Sequence, residues 1–314
     1  MRDCGLKVSC LQPLRDYEGW VSPQDRADAR KRAVGFLDIM RALGTELLLV
    51  CSNGTAAPRT TDDEQTAVED LSWLADEAQR RNLRLCYEAL SFAAHRSRWQ
   101  DAMRIVELCA RPNLGLCLDS FNTLAREYAD PYVASGKRVN ADENVEQSCR
   151  ELASISSSRI FFLQVADGRY MCPPMTPPTD PSVPPLRPWS RSSRLYPCEQ
   201  ARGGYLPVNR FVDAVMQTGY AGPWSLEVFN DSLSARDASV PQAHAKRGYE
   251  GLVRCAHDAH VRAASALASA LPRKTRTSAG APLADATTLS RRLSNSSSCK
   301  PSRAVEAAAD RAVL

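Results

Sequence analysis

RLCYEALSFAAH, residues 84–95, opens as a buried strand and then sets a carboxylate, Glu88, where an apolar residue belongs. A charge at such a place is costly unless it is paired or binds a metal. The same construction recurs along the chain. LGLCLDSF (114–121) ends in Asp119, RIFFLQVAD (159–167) carries Gln164 and Asp167, and PWSLEVFN (223–230) carries Glu227. Each is a short apolar run without polar alternation, the pattern of a strand covered on both faces. Two earlier runs, LKVSCLQP (6–13) and ELLLVCS (46–52), read the same way and bring the count of strands to six.

Helical periodicity fills the intervals. RADARKRAVGFLDIMRAL (26–43) stops at Gly44, and DEQTAVEDLSWLADEAQRRN (63–82) has Asp62 or Asp63 as its cap. RWQDAMRIVELCA (98–110), a stretch near 142–155, NRFVDAVMQTG (209–219) and a segment near 241–263 continue the alternation. Between the fifth and sixth strands a long loop runs from about 168 to 206. Strand–helix alternation with buried strands implies a parallel sheet wrapped by helices, an α/β fold. A doubly wound open sheet and a (β/α) TIM-type barrel compete. No strand is followed by a glycine-rich phosphate turn, which removes support from the dinucleotide-binding version of the open sheet.

The totals narrow the class. The 314 residues carry a net charge of +4 with no compact basic stripe in 1–260, so a nucleic-acid partner is not expected. The 11 cysteines form no C-x-x-C pair. Cys10, Cys51, Cys86 and Cys117 lie inside apolar runs as small core residues, which points to a reducing, cytoplasmic compartment rather than a disulfide framework. There is no signal pattern and no apolar run of membrane-spanning length, so no membrane partner is expected. Residues 1–263 read as one domain. Residues 264–314 are Ala-, Ser- and Arg-rich without an aromatic residue, and read as a disordered or loosely helical tail.

In α/β barrels the active site lies at the C-terminal edge of the strands, where Glu88, Asp119, Gln164 and Glu227 fall. Carboxylates converging there repel one another, and a divalent cation such as Mg²⁺ or Mn²⁺ resolves the repulsion with oxygen ligands. Around them, His95 is an acid–base candidate, Arg191 and Arg194 suit a substrate carboxylate, and Asn122 either bonds a substrate oxygen or caps the next helix. Tyr87 and Gln12 are further mouth-facing residues.

The blocks LCYEALSFAAH, RPNLGLCLDSFNTLAREYADP, RIFFLQVADG, WSRSSRLYP with GGYLPV, and GPWSLEVFN resemble the fungal 3-dehydroshikimate dehydratases, members of the xylose-isomerase-like superfamily of TIM barrels. The resemblance runs from about Gly5 to about Leu252. It implies that Glu88, Asp119, Gln164 and Glu227 are ligands of a divalent cation (Mg²⁺, Mn²⁺ or Co²⁺). It further implies that a small molecule, 3-dehydroshikimate, is dehydrated to protocatechuate in quinate and shikimate catabolism. His95 is then the first candidate for proton transfer, with Arg194 and then Arg191 holding the carboxylate. Bacterial relatives commonly have a His in place of Asn122. The family begins with two further βα units, roughly 60 residues, ahead of LKVSCLQP. The expectation is therefore a barrel short of its first two units. The alternatives are a sugar or inositol-derivative isomerase or epimerase on the same scaffold, or an inactive truncated barrel.

Overall fold

A computed structural model of the chain describes residues 4–270. In chain order the elements are β1 (Leu11–Leu14), α1 (Pro23–Leu43), β2 (Leu47–Cys51), α2 (Glu64–Gln79), β3 (Arg84–Glu88), α3 (Trp99–Cys109), β4 (Leu114–Asp119), α4 (Ser120–Glu127), α5 (Ala141–Ala153), β5 (Ile160–Gln164), β6 (Asp167–Gly168), α6 (Arg187–Ser192), β7 (Arg194–Leu195), α7 (Val208–Gln217), β8 (Trp224–Ser225) and α8 (Val240–Ala270). Six strands pair in parallel in the order β1-β2-β3-β4-β5-β8 and form an open, curled sheet flanked by helices. This is the TIM-barrel type of α/β architecture with six strand–helix units. No helix among the described residues is long and apolar enough to cross a membrane.

The strands follow from their composition. All five residues of β2 are buried, as are all six of β4, because helices cover one face and side chains fill the concave side. Cys51, Cys86 and Cys117 are buried free thiols in these strands. Helix α1 buries one stripe, Ala29, Ala33, Leu37 and Met40, at helical spacing. Its start is set by Ser22, whose hydroxyl accepts from the Asp25 N–H at 3.3 Å, followed by Pro23. Its end is Gly44 at φ 69°, in the left-handed region that glycine enters at little cost. Asp63 caps α2, accepting from the Thr66 N–H at 2.7 Å.

Three expectations are corrected. The first strand is Leu11–Leu14 rather than 6–13; residues 6–10 have no regular structure, and β1 pairs with β2 through a shifted register. Pro13, which has no N–H to give the ladder, lies within it. The sixth strand contracts to Trp224–Ser225, so Glu227 follows the strand. The segment 168–206 is built rather than loose. β6 pairs antiparallel with β7, α6 lies between them, and the Trp189 ring packs 4.6 Å from Phe121. At the tail, α8 continues through the expected 263/264 boundary to Ala270, and the rest of the Ala/Ser/Arg-rich segment lies outside the described residues.

A buried carboxyl ties the first loop to the sheet. Glu18 accepts from the Asn53 N–H and from the Tyr87 hydroxyl, each at 2.8 Å, while its second oxygen is enclosed without a partner. Burial pushes its pKa up to about 7 from the ordinary 4.5, against the opposing effect of those two hydrogen bonds. The folded chain therefore holds this proton more tightly than the unfolded chain. The associated stability is complete below the unfolded value of 4.5 and is lost as pH rises through about 7. We expect the melting temperature of Glu18→Gln to fall less than wild type over that interval; parallel curves would contradict this. A second expectation concerns Gly115, where an added Cβ would lie 2.6 Å from the Phe161 ring and 2.8 Å from the Arg159 carbonyl. Gly115→Ala should cost about 1–3 kcal/mol in chemical denaturation, and an unchanged midpoint would show that the two strands separate freely.

Candidate metal centre

Parallel strands deliver their last residues to one edge. Asp119 is in register with Gln164, Gln164 with Ser225, and Cys51 with Glu88. Glu227 comes two residues after Ser225, just beyond the end of β8. The result is a cluster in which one oxygen each of Glu88, Asp119 and Glu227 lies within 4.8 Å of the others. Glu88 and Asp119 are only 1% and 2% exposed, and Gln164 is fully buried.

Local hydrogen bonds fix each ligand candidate. Asp119 ends β4 and caps α4, one oxygen accepting from the Asn122 N–H at 2.7 Å. The helix cap is thus Asp119, while the Asn122 side chain turns to the cluster. Its amide nitrogen donates to Glu88 Oε1 at 2.9 Å, and its oxygen accepts from the Ser91 N–H at 3.0 Å. The Cys51 thiol donates to Glu88 Oε2 at 3.5 Å. The Gln164 amide faces Glu88 Oε1 and Asp119 Oδ2, each 3.2 Å away, and with its nitrogen on that side it donates to both; its other end meets the Gln12 amide at 3.0 Å.

Arg194 is the surprise of the site. Its guanidinium is buried, donating from Nη1 to Asp119 Oδ2 at 2.8 Å and to Glu227 Oε2 at 3.0 Å. Nη2 donates to Ser190 Oγ at 3.1 Å and Nε to the Ser190 carbonyl at 3.2 Å. The ring of Phe121 lies 4.4 Å from the guanidinium carbon. Sequence reasoning assigned Arg194 to a substrate carboxylate; the structure turns it to the protein's own. Its place is set by the β6–β7 pairing and by the Arg194 N–H donating to the Phe229 carbonyl at 3.0 Å. The strand-end carboxylate Asp167 serves that scaffold instead of the cluster. Its Oδ1 accepts from the N–H groups of Gly168, Tyr205 and Leu206 at 2.7, 3.1 and 2.9 Å.

The charges do not balance. Burial raises the Glu88 pKa well above the ordinary value, and the neighbouring charges of Glu227 and Asp119 raise it further, while Arg194 and the Asn122 hydrogen bond oppose this. Glu227 is raised by burial and by Asp119, against Arg194, Arg191 and Arg15. Burial by itself would lower Arg194, yet the charges of Asp119, Glu227 and Glu88 raise it. Three carboxylates share one fully engaged guanidinium. Their oxygens make a donor set with room for further positive charge, which suits a divalent cation, and the adjacent Gln164 amide can turn its oxygen to the same point.

Beside the centre opens a cleft of about 860 Å³, lined by Ser52, Leu90, Ser91, Arg15 and Arg191 among others. Arg191 stacks over the Phe229 ring at 4.5 Å, and sequence reasoning missed Arg15, whose charge also reaches Glu227. Arg15 follows the first strand directly, the position that flagged the other site residues. His95 is not among the cleft-lining residues, although Ala93 and Ala94 are. Its Nε2 pairs with Thr60 Oγ1 at 2.9 Å, and burial and the Arg96 charge lower its pKa.

Comparison with known proteins agrees with this geometry. A family profile described as xylose isomerase-like TIM barrel matches residues 1–254. The chain is 35% identical over 254 residues to a 3-dehydroshikimate dehydratase of Neurospora crassa, covering 78% of this chain and 70% of that protein. It is 34% identical over 234 residues to a 3-dehydroshikimate dehydratase of Pseudomonas putida, covering 74% of this chain and 31% of that longer protein. Among solved structures, a xylose isomerase-like TIM barrel/4-hydroxyphenylpyruvate dioxygenase fusion protein superposes with a TM-score of 0.67 at 31% identity, covering 85% of this chain and 36% of the other. Dehydration of 3-dehydroshikimate, a lyase activity, is thus the activity named for the curated relatives. On the matched profile and the parallel sheet with its carboxylates at the C-terminal edge, the chain belongs to the xylose isomerase-like TIM-barrel family.

Proposed function

We propose that this chain is a divalent-cation-dependent 3-dehydroshikimate dehydratase, acting in quinate and shikimate catabolism. The observation that carries the reading is the cluster of Glu88, Asp119 and Glu227 carboxylates, with the Gln164 amide against it, beside an arginine-lined cleft. The identity to curated dehydratases supplies the substrate. Those four residues would hold the ion, Mg²⁺, Mn²⁺ or Co²⁺. When bound, it supplies Lewis-acid polarisation of the substrate ketone, so that a proton on the adjacent carbon becomes acidic.

The remaining work falls to the chain itself. Conversion to protocatechuate removes that proton, expels the β-hydroxyl as water and leaves an aromatic ring. Arg191, half-buried at the cleft wall, presents its guanidinium to the substrate carboxylate, with Arg15 adding positive charge nearby. Arg194 serves a different part: it orients Asp119 and Glu227 and offsets their charge. Asn122 is a positioning residue, bridging Glu88 to the Ser91 backbone. His95 is our candidate for proton transfer. Its lowered pKa keeps the imidazole neutral near pH 7, the form that accepts a proton, and it adjoins the Ala93–Ala94 wall of the cleft.

Purified chain given 3-dehydroshikimate should release protocatechuate with Mg²⁺, Mn²⁺ or Co²⁺ and none after chelation. Product formation indifferent to chelator would sink the proposal. Glu88→Gln and Asp119→Asn should each weaken Mn²⁺ binding by at least about 100-fold, since loss of even an outer-shell partner costs 10–100-fold. Calorimetry measures this directly, and wild-type affinity in either variant would remove that residue from the ligand set. Arg191→Gln should raise KM by about tenfold or more with a smaller change in kcat; an unchanged KM would place the carboxylate elsewhere. His95→Asn should abolish the acidic limb of the kcat/KM pH profile, and a profile like wild type would exclude His95 as the base.

A further inference from the structure

The cleft beside the metal centre is lined by six arginines and only two aspartates, Asp16 and Asp130. Two of these cations have an evident occupation. Arg59 pairs with Asp25 at 3.4 Å, and Arg191 stacks on Phe229. Arg126 does not. It lies on α4 four residues after Asn122, one helical turn and roughly 6 Å along the axis from the residue that holds Glu88. Among the described residues it makes no ion pair or hydrogen bond, and its Nε is enclosed without an acceptor. The adjacent Glu127 does not serve it: both oxygens of that carboxylate accept from Arg98, at 3.0 and 3.1 Å.

Arg138 stands next to it. The hairpin after α4 brings it there, with the Arg138 N–H donating to the Tyr128 carbonyl at 2.8 Å and its Nε to the Ala125 carbonyl at 3.2 Å. That leaves its terminal nitrogens without a protein acceptor among the described residues. Burial, then the Arg138 charge, then Arg98 lower the pKa of Arg126, and the more weakly acting charges of Glu127 and Asp101 do not offset them. The one carboxylate on this wall, Asp130, accepts from the Tyr132 N–H at 3.0 Å. An enclosed guanidinium N–H without an acceptor is unfavourable, and the fork of an oxyanion satisfies it in two-pronged fashion.

We propose that Arg126 and Arg138 form an oxyanion subsite on the α4 wall of the cleft. It would take the carboxylate or phosphate group of a small molecule, separately from the metal centre. The subsite does not depend on the cation, so its test is run on the full chain with metal chelated. Inorganic phosphate and malonate, one probe for each chemistry, are titrated calorimetrically into wild type, Arg126→Gln, Arg138→Gln and Arg126→Lys. At least one anion should bind wild type, each Gln variant should weaken it by about tenfold or more, and Arg126→Lys should weaken it less. In parallel, the bound anion should slow phenylglyoxal modification of Arg126 and Arg138 in wild type, read by peptide mass spectrometry, a measurement that needs no variant to fold. The proposal is overturned if neither anion binds wild type. It is equally overturned if the Gln variants bind as wild type does, or if neither arginine is protected while Arg191 is.

Discussion

Three carboxylates, two of them buried, cannot all be ionised within 4.8 Å of one another without positive charge among them. That constraint governs this molecule. Glu88 and Asp119 sit on adjacent strands whose register is fixed by main-chain hydrogen bonds, so neither can retreat without breaking the sheet. Arg194 supplies one charge and touches two of the three acids. Glu88 is left with an amide from Asn122 and a thiol from Cys51, and burial with the neighbouring acids raises its pKa. The Gln164 amide lies against the same two acids, 3.2 Å from Glu88 Oε1 and from Asp119 Oδ2. Three acids gathered around one guanidinium in this way could hold a divalent cation.

The segment after β5 exists to deliver Arg194. Asp167 gathers three backbone N–H groups with a single oxygen and so folds the chain back on itself. Trp189 packs on Phe121 and donates from Nε1 to the Arg169 carbonyl at 3.0 Å, fixing α6 against α4. Gly168 permits this, because a Cβ there would meet the Trp189 ring at 2.7 Å. The same scaffold places Arg191 one helical turn before Arg194's strand, with its side chain at the cleft. Two arginines three residues apart thereby do different jobs, one facing the carboxylates and one facing the opening.

Much of this was legible in the sequence, for local reasons. Strands such as LLLVC announce themselves by unbroken apolarity, and Glu88, Asp119 and Gln164 stand out as polar breaks at their ends. Gly44 and Asp63 mark helix ends because their backbone and side-chain chemistry is needed there. What could not be read depends on distant partners. The Arg194–Asp119 pair spans 75 residues, and no local pattern says which acid a loop arginine will find. Asn122 reads as a possible cap, but Asp119 takes that place and the Asn122 amide goes to Glu88 instead, a partner 34 residues away. The order within 168–206 arises from the buried Asp167 and Trp189, whose partners come from other elements. The shortness of β1 reflects an edge strand with one neighbour.

The most direct test of the metal centre is a crystal structure of the chain soaked in Mn²⁺, with anomalous scattering recorded above the manganese edge. A single anomalous peak bounded by Glu88, Asp119, Gln164 and Glu227, with the Gln164 amide oxygen among its ligands, is the predicted result. A featureless anomalous map at that position, with Arg194 still bridging Asp119 and Glu227, would show that the guanidinium is the site's permanent cation and would contradict the account.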